Sequence, residues 1–62
     1  MSDLRWKLER LPNGFVRVED RKSGLVNLLE ADGKTRSGVS RLPGWVREIA
    51  IETARDGMVH YV

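Results

Sequence analysis

The chain has 62 residues, 11 Lys and Arg against 9 Asp and Glu for a net charge of +2, and no cysteine. That length suits one small domain, 1–62, near the lower limit of independent folding, and the lack of cysteine excludes a disulfide scaffold and thiolate chemistry. No apolar run approaches the ~20 residues of a membrane span and no secretory pattern opens the sequence, so the expectation is a cytoplasmic protein without membrane contact.

The first element is the most strongly specified. In Leu11-Pro12-Asn13-Gly14-Phe15, Pro occupies the position of a turn that wants φ near −65°, and Gly the position that must turn left-handed. This is the signature of a three-residue hairpin loop closed by a bulge. Counting outward from Leu11 opposite Phe15, Leu8 meets Val18 and Arg10 meets Val16 on one face. On the other face Glu9 meets Arg17 and Lys7 meets Glu19 as opposite charges. A one-residue slip destroys both patterns, so the register is set locally.

Asp20-Arg21-Lys22-Ser23-Gly24 reads as a second turn, and 25–30 as a third strand of an antiparallel meander. The parity of that turn decides which side chains enter the core. With a bulge, Val26 and Leu28 join Leu4, Trp6, Leu8, Val16 and Val18, and Leu25 and Leu29 lie beside Phe15 on the outer face. A regular turn flips the strand. The bulge is the preferred reading because it makes the inner face continuous. Ala31-Asp32-Gly33-Lys34 is a further turn, and 34–40, rich in Ser and Gly, is read as loop in preference to a short edge strand.

From Pro43 to Asp56, Trp45, Val46, Ile49, Ala50, Thr53 and Ala54 recur at helical spacing, with Pro43 suited to the first turn and Gly57 to the position after the last. Ile51 is the misfit. Met58 to Val62 follows as a strand with Val59 and Tyr61 directed inward and His60 outward. The fold class is therefore α+β: a three-stranded antiparallel meander, with a short fourth strand as an option, packed by one C-terminal helix and a short final strand. The rival reading makes 48–53 a strand and yields an all-β, SH3-like small barrel.

Catalysis and metal binding have little support. His60 is the sole histidine, with no neighbouring nucleophile and no ligand spacing around it. Glu48 and Glu52, one turn apart, read as a solvated helix face, and the glycines match no phosphate-loop or dinucleotide spacing. No catalytic residue, metal ligand or cofactor is assigned, and the chain is read as a non-enzyme.

Two binding candidates stand out. Lys34, Arg36, Arg41 and Arg47 occur with no acidic residue among them, interleaved with Ser37, Gly38, Ser40, Gly44 and Trp45. Guanidinium forks, small residues that expose backbone N–H groups and an aromatic surface are what a phosphate backbone or nucleotide requires. Arg21 and Lys22 extend this candidate. The competing candidate is an apolar patch of Phe15, Leu25 and Leu29 on the outer sheet face, together with a terminal strand ending at Val62, which suits a protein partner or a homodimer. Read blandly, the basic residues are solvated loop charges and Trp45 is the first core residue of the helix.

A three-stranded meander followed by a helix is similar in order to the arm-binding domains of tyrosine recombinases and to a plant transcription-factor domain. That resemblance rests on element order and implies a sheet presented to the major groove. The pairs Lys7–Glu19 and Glu9–Arg17 depart from it, since they cancel charge on the face such a domain would load with arginine. The expected function is thus a small binding protein for nucleic acid or nucleotide through the basic loop and helix start, with a protein-interaction module as the alternative. Its size would suit a viral or mobile-element accessory protein.

Overall fold

The computed structural model describes residues 4–38 and 41–62. It contains β1 (Trp6–Arg10), β2 (Val16–Asp20), β3 (Val26–Leu29), β4 (Thr35–Ser37), α1 (Gly44–Asp56) and β5 (His60–Tyr61). The strands form one antiparallel sheet in the order β4-β3-β2-β1-β5. Helix α1 carries the chain from the β4 edge across one face to the β5 edge, giving the α+β architecture.

The first hairpin has the register its turn chemistry dictates: Leu8 opposite Val18, Arg10 opposite Val16, Glu9 opposite Arg17 and Lys7 opposite Glu19. Gly14 adopts φ 91°, and the Leu11 N–H donates to the Phe15 carbonyl at 2.7 Å. Even-numbered residues of β1 and β2 face the helix. Trp6, Leu8, Val16 and Val18 are buried there with Leu29, Val46 and Ala50, and Leu42, Ile49, Ala54 and Val62 pack around them. Leu4, expected among them, is exposed.

The second turn is regular, which overturns the preferred bulge. Asp20 accepts from the Gly24 N–H at 2.7 Å and donates to the Leu25 carbonyl at 2.9 Å, closing a four-residue loop. Val18 then faces Asn27 and Val16 faces Leu29, so Val26 and Leu28 move to the outer face. Two polar contacts favour this parity over an all-apolar inner row. The buried Asp20 carboxylate accepts from the Lys22 N–H at 3.0 Å within the turn and pairs with Arg5 at 2.9 Å. The register slip occurs one strand later, between Leu28 and Leu29, where Arg36 is the extra residue of a bulge in β4. Residues 35–37 are thus an edge strand and not a loop.

Helix α1 buries Val46, Ala50 and Thr53, and the Thr53 hydroxyl is satisfied by the Ile49 carbonyl at 2.8 Å. It ends at Gly57, beside which the Arg10 guanidinium donates to the Ala54 carbonyl at 3.3 Å. A cation at this end complements the helix dipole. The SH3-like alternative, which required extended chain over 48–53, does not hold.

The last strand runs opposite to expectation. Leu8 pairs with His60 and Lys7 with Tyr61, so His60 shares the helix side and Tyr61 the outer side; Val59 is exposed. Val62 exchanges both backbone hydrogen bonds with Trp6, at 2.7 and 2.9 Å. Among the described residues no helix is long and apolar enough to cross a membrane.

Candidate functional site

The basic run predicted as one site is dispersed. Arg47 is half-buried, and its guanidinium donates to the Gly33 carbonyl at 2.8 Å, tying α1 to the β3–β4 turn. Its fork is therefore already engaged in the fold. Arg36, re-aimed by its bulge, lies 5.7 Å over the Phe15 ring. Phe15 has the parity of Arg17 and Glu19, so this guanidinium sits on the outer face of the sheet, while Arg47 is carried by the helix and reaches the β3–β4 turn. Lys34 extends into solvent with a loose 3.9 Å approach to Asp32, and Arg41 is exposed in the segment before the helix. Ser40 lies outside the described residues.

Trp45 is 52% exposed, which corrects its reading as a core residue. The buried stripe is centred on Val46, Ala50 and Thr53, and Trp45 lies about 100° around the helix from Val46. It lies on the helix side, apart from Arg36. The apolar candidate is also divided. Leu29 is fully buried in the core because of the regular second turn. Val62 is half-buried and internally paired, Phe15 is half-buried beneath Arg36, and Leu25 remains exposed.

What the topology brings together instead is the outer face of the sheet, the side opposite α1. Across it run Tyr61, Lys7, Glu19 and Val26 in one row of paired residues, and Glu9, Arg17, Leu28 and Ser37 in the next. Lys7 lies 5.9 Å and Arg21 5.6 Å from the Tyr61 ring centroid, within cation–π range. At the far corner Arg36 covers Phe15 in the same manner. The charge cancellation expected from register takes a different form: Arg17 pairs with Glu19 along its own strand at 3.1 Å, while Lys7 leans toward Tyr61.

Charge is distributed unequally between the two sides. By strand parity and ring contacts the outer face holds Lys7, Arg17, Arg21 and Arg36 against Glu9 and Glu19, while Arg10 lies on the helix side and Arg5 is paired with Asp20. Helix α1 holds two cations against three carboxylates. The sheet side is therefore the positive side.

Asp20 and Asp56 have structural roles. The Arg5 hydrogen bonds hold Asp20 down to about 2, with the Lys22 N–H adding to the effect. The Met58 N–H, and secondarily His60, lower Asp56. His60 Nε2 lies 3.1 Å from the Asp56 carboxylate, so the histidine closes the helix–strand corner. Among the described residues no group of three His, Asp or Glu is placed to hold a metal ion.

Sequence reasoning missed Lys7, Arg17 and Tyr61 as members of one surface. Alternation placed Lys7 and Arg17 together, but Tyr61 joins them only through the β1–β5 pairing, for which no local motif exists. Comparison with protein-family models, with curated proteins and with solved structures finds no match.

Proposed function

We propose that this chain is a small, non-enzymatic, cytoplasmic protein that binds nucleic acid through the outer face of its sheet, chiefly by phosphate contacts. The observation that supports this most is the gathering of Lys7, Arg17, Arg21 and Arg36 on the face opposite the helix, three of them beside aromatic rings. Planar guanidinium groups bind phosphate oxygens in pairs, and a lysine adds a mobile point charge. Contacts of this kind fix position on the backbone and read little sequence. Of the original basic run, this reading keeps Arg36 and replaces Lys34, Arg41, Arg47 and Trp45 with the sheet residues.

The test is fluorescence anisotropy with labelled oligonucleotides, single-stranded and duplex, at low and moderate salt. Lys7→Glu combined with Arg21→Glu is expected to weaken binding more than ten-fold on the phosphate-contact argument, whereas Arg41→Glu and Arg55→Glu leave it within about two-fold. A loss with Arg41→Glu and none with the sheet pair would return the site to the loop. No binding of either probe rejects the reading.

A protein-interaction reading draws on one observation, the exposure of Val26 beside half-buried Leu28 at the β3 end of the same face; Leu25, also exposed, has the opposite parity and lies on the helix side. It predicts a homodimer, read as a mass that rises with concentration and is reset by Val26→Glu.

A further inference from the structure

Resting on the sheet-face reading above, we infer that the nucleic acid held there is single-stranded, laid diagonally across the sheet with one base on Tyr61 and another on the Arg36 guanidinium that covers Phe15.

The first argument is breadth. Five strands at ~4.8 Å spacing make a face about 19 Å across, and the flanking strands β4 and β5 occupy both sides of the central three. The major groove of duplex DNA is about 12 Å wide and admits a helix or a two-stranded ribbon. On this molecule the helix that would enter a groove is on the opposite side of the sheet, and a two-stranded ribbon standing free of its neighbours is absent among the described residues. A single strand has no groove to enter and needs only an open surface.

The second argument is the placement of the rings. Tyr61 stands in β5 in the row of Lys7 and Glu19, and Phe15 immediately precedes β2, four residues from Glu19 and two strands away from Tyr61. Strand rise and spacing put the two about 16 Å apart along the diagonal, a separation that a few nucleotides of unpaired strand bridge. Arg17 stands between them, Lys7 and Arg21 flank the first ring, and Arg36 covers the second. Aromatic rings alternating with cations are the arrangement that unpaired bases and their phosphates require, because every base has a stacking face that pairing does not present at a duplex surface. Tyr61 is 47% exposed and carries no buried hydrophobic load. The cations over it are surface side chains that reach phosphates flanking a stacked base.

The test uses the full chain with an oligothymidylate and an oligouridylate of about 12 nucleotides, within the usual range of single-strand site sizes, and a duplex of mixed sequence. Both single strands are expected to bind at least about ten-fold more tightly than the duplex. Tyr61→Leu is expected to weaken single-strand binding by about ten-fold or more, the scale of one lost base stack, and Tyr61→Phe to retain it. Duplex binding that equals or exceeds single-strand binding overturns this inference and leaves the sheet-face function standing. Single-strand binding untouched by Tyr61→Leu also overturns it. Failure of every probe removes both.

Discussion

Asp20 is the residue on which two neighbouring structures depend, since its carboxylate closes the second turn through the Lys22 N–H and anchors Arg5 at the open end of β1. Its pKa is about 2 when folded, below the ordinary aspartate value, so folding favours the ionised form. The stabilisation is complete above the unfolded-state pKa near 4 and is lost as the pH falls through the folded value near 2. Thermal unfolding should therefore show a midpoint that drops between pH 4 and pH 2, and Asp20→Asn should lower the midpoint at neutral pH and flatten that slope. An unchanged slope in the variant would assign the acid sensitivity elsewhere. A second residue-scale prediction concerns Gly38, which has φ 129° and whose missing Cβ would fall on the Asn27 side chain. Gly38→Ala combines a positive-φ penalty with a collision against a buried group, and should destabilise by about 1–3 kcal/mol in denaturant titrations.

At the scale of elements, legibility followed locality. The first hairpin was readable to the residue because its turn contains Pro and Gly at fixed offsets and its strands carry two mutually exclusive patterns, so every wrong register fails at once. The helix was readable because a 3.6-residue stripe persists for three turns and ends at Gly57. The second turn was misread because an apolar inner row was given more weight than polar satisfaction: Asp20 is held by hydrogen bonds and the turn length brings Asn27 inward with it, which a hydrophobic pattern does not reveal. Trp45 was misread for a related reason, since stripe membership in the first turn does not guarantee a sheet beneath it. Of the proposed surface the basic run read from the sequence contains Arg36 alone, because a face assembled from β1, β2, β4 and β5 depends on pairings between distant segments. One contact of this distant kind is testable at this scale. Arg47 ties the start of α1 to the Gly33 carbonyl, and Arg47→Ala removes a charge-assisted hydrogen bond worth about 1.5–3 kcal/mol. The variant should lose that much stability while retaining nucleic-acid affinity in its folded population, which separates a structural arginine from a binding one.

The whole molecule is a sheet with a covered face that supplies stability and an open face that carries charge, and the two are coupled by small size. At roughly 0.05–0.15 kcal/mol per residue a chain this short holds only a few kcal/mol of net stability, and truncating a fully buried leucine costs about 2–5 kcal/mol. Leu8→Ala should therefore leave the protein largely unfolded at ambient temperature by circular dichroism, and ligand should refold it in proportion to concentration, because binding to the native state alone adds stability by mass action. The open face gives the complementary expectation. If Lys7, Arg17, Arg21 and Arg36 each neutralise one phosphate of a single strand, the logarithm of affinity falls with the logarithm of salt at a slope near −3, about a fifty-fold loss between 50 and 200 mM. The carboxylates on the same face oppose this attraction. Glu19 is held by Arg17, whereas Glu9 forms no ion pair among the described residues and faces the same strand that the phosphates would approach. Glu9→Gln should accordingly raise affinity several-fold at low salt without altering the slope, since it removes repulsion but adds no phosphate contact. An increase in slope would mean that Glu9 had been holding a cation away from the ligand, and an unchanged affinity would place the bound backbone off the β1 side of the sheet.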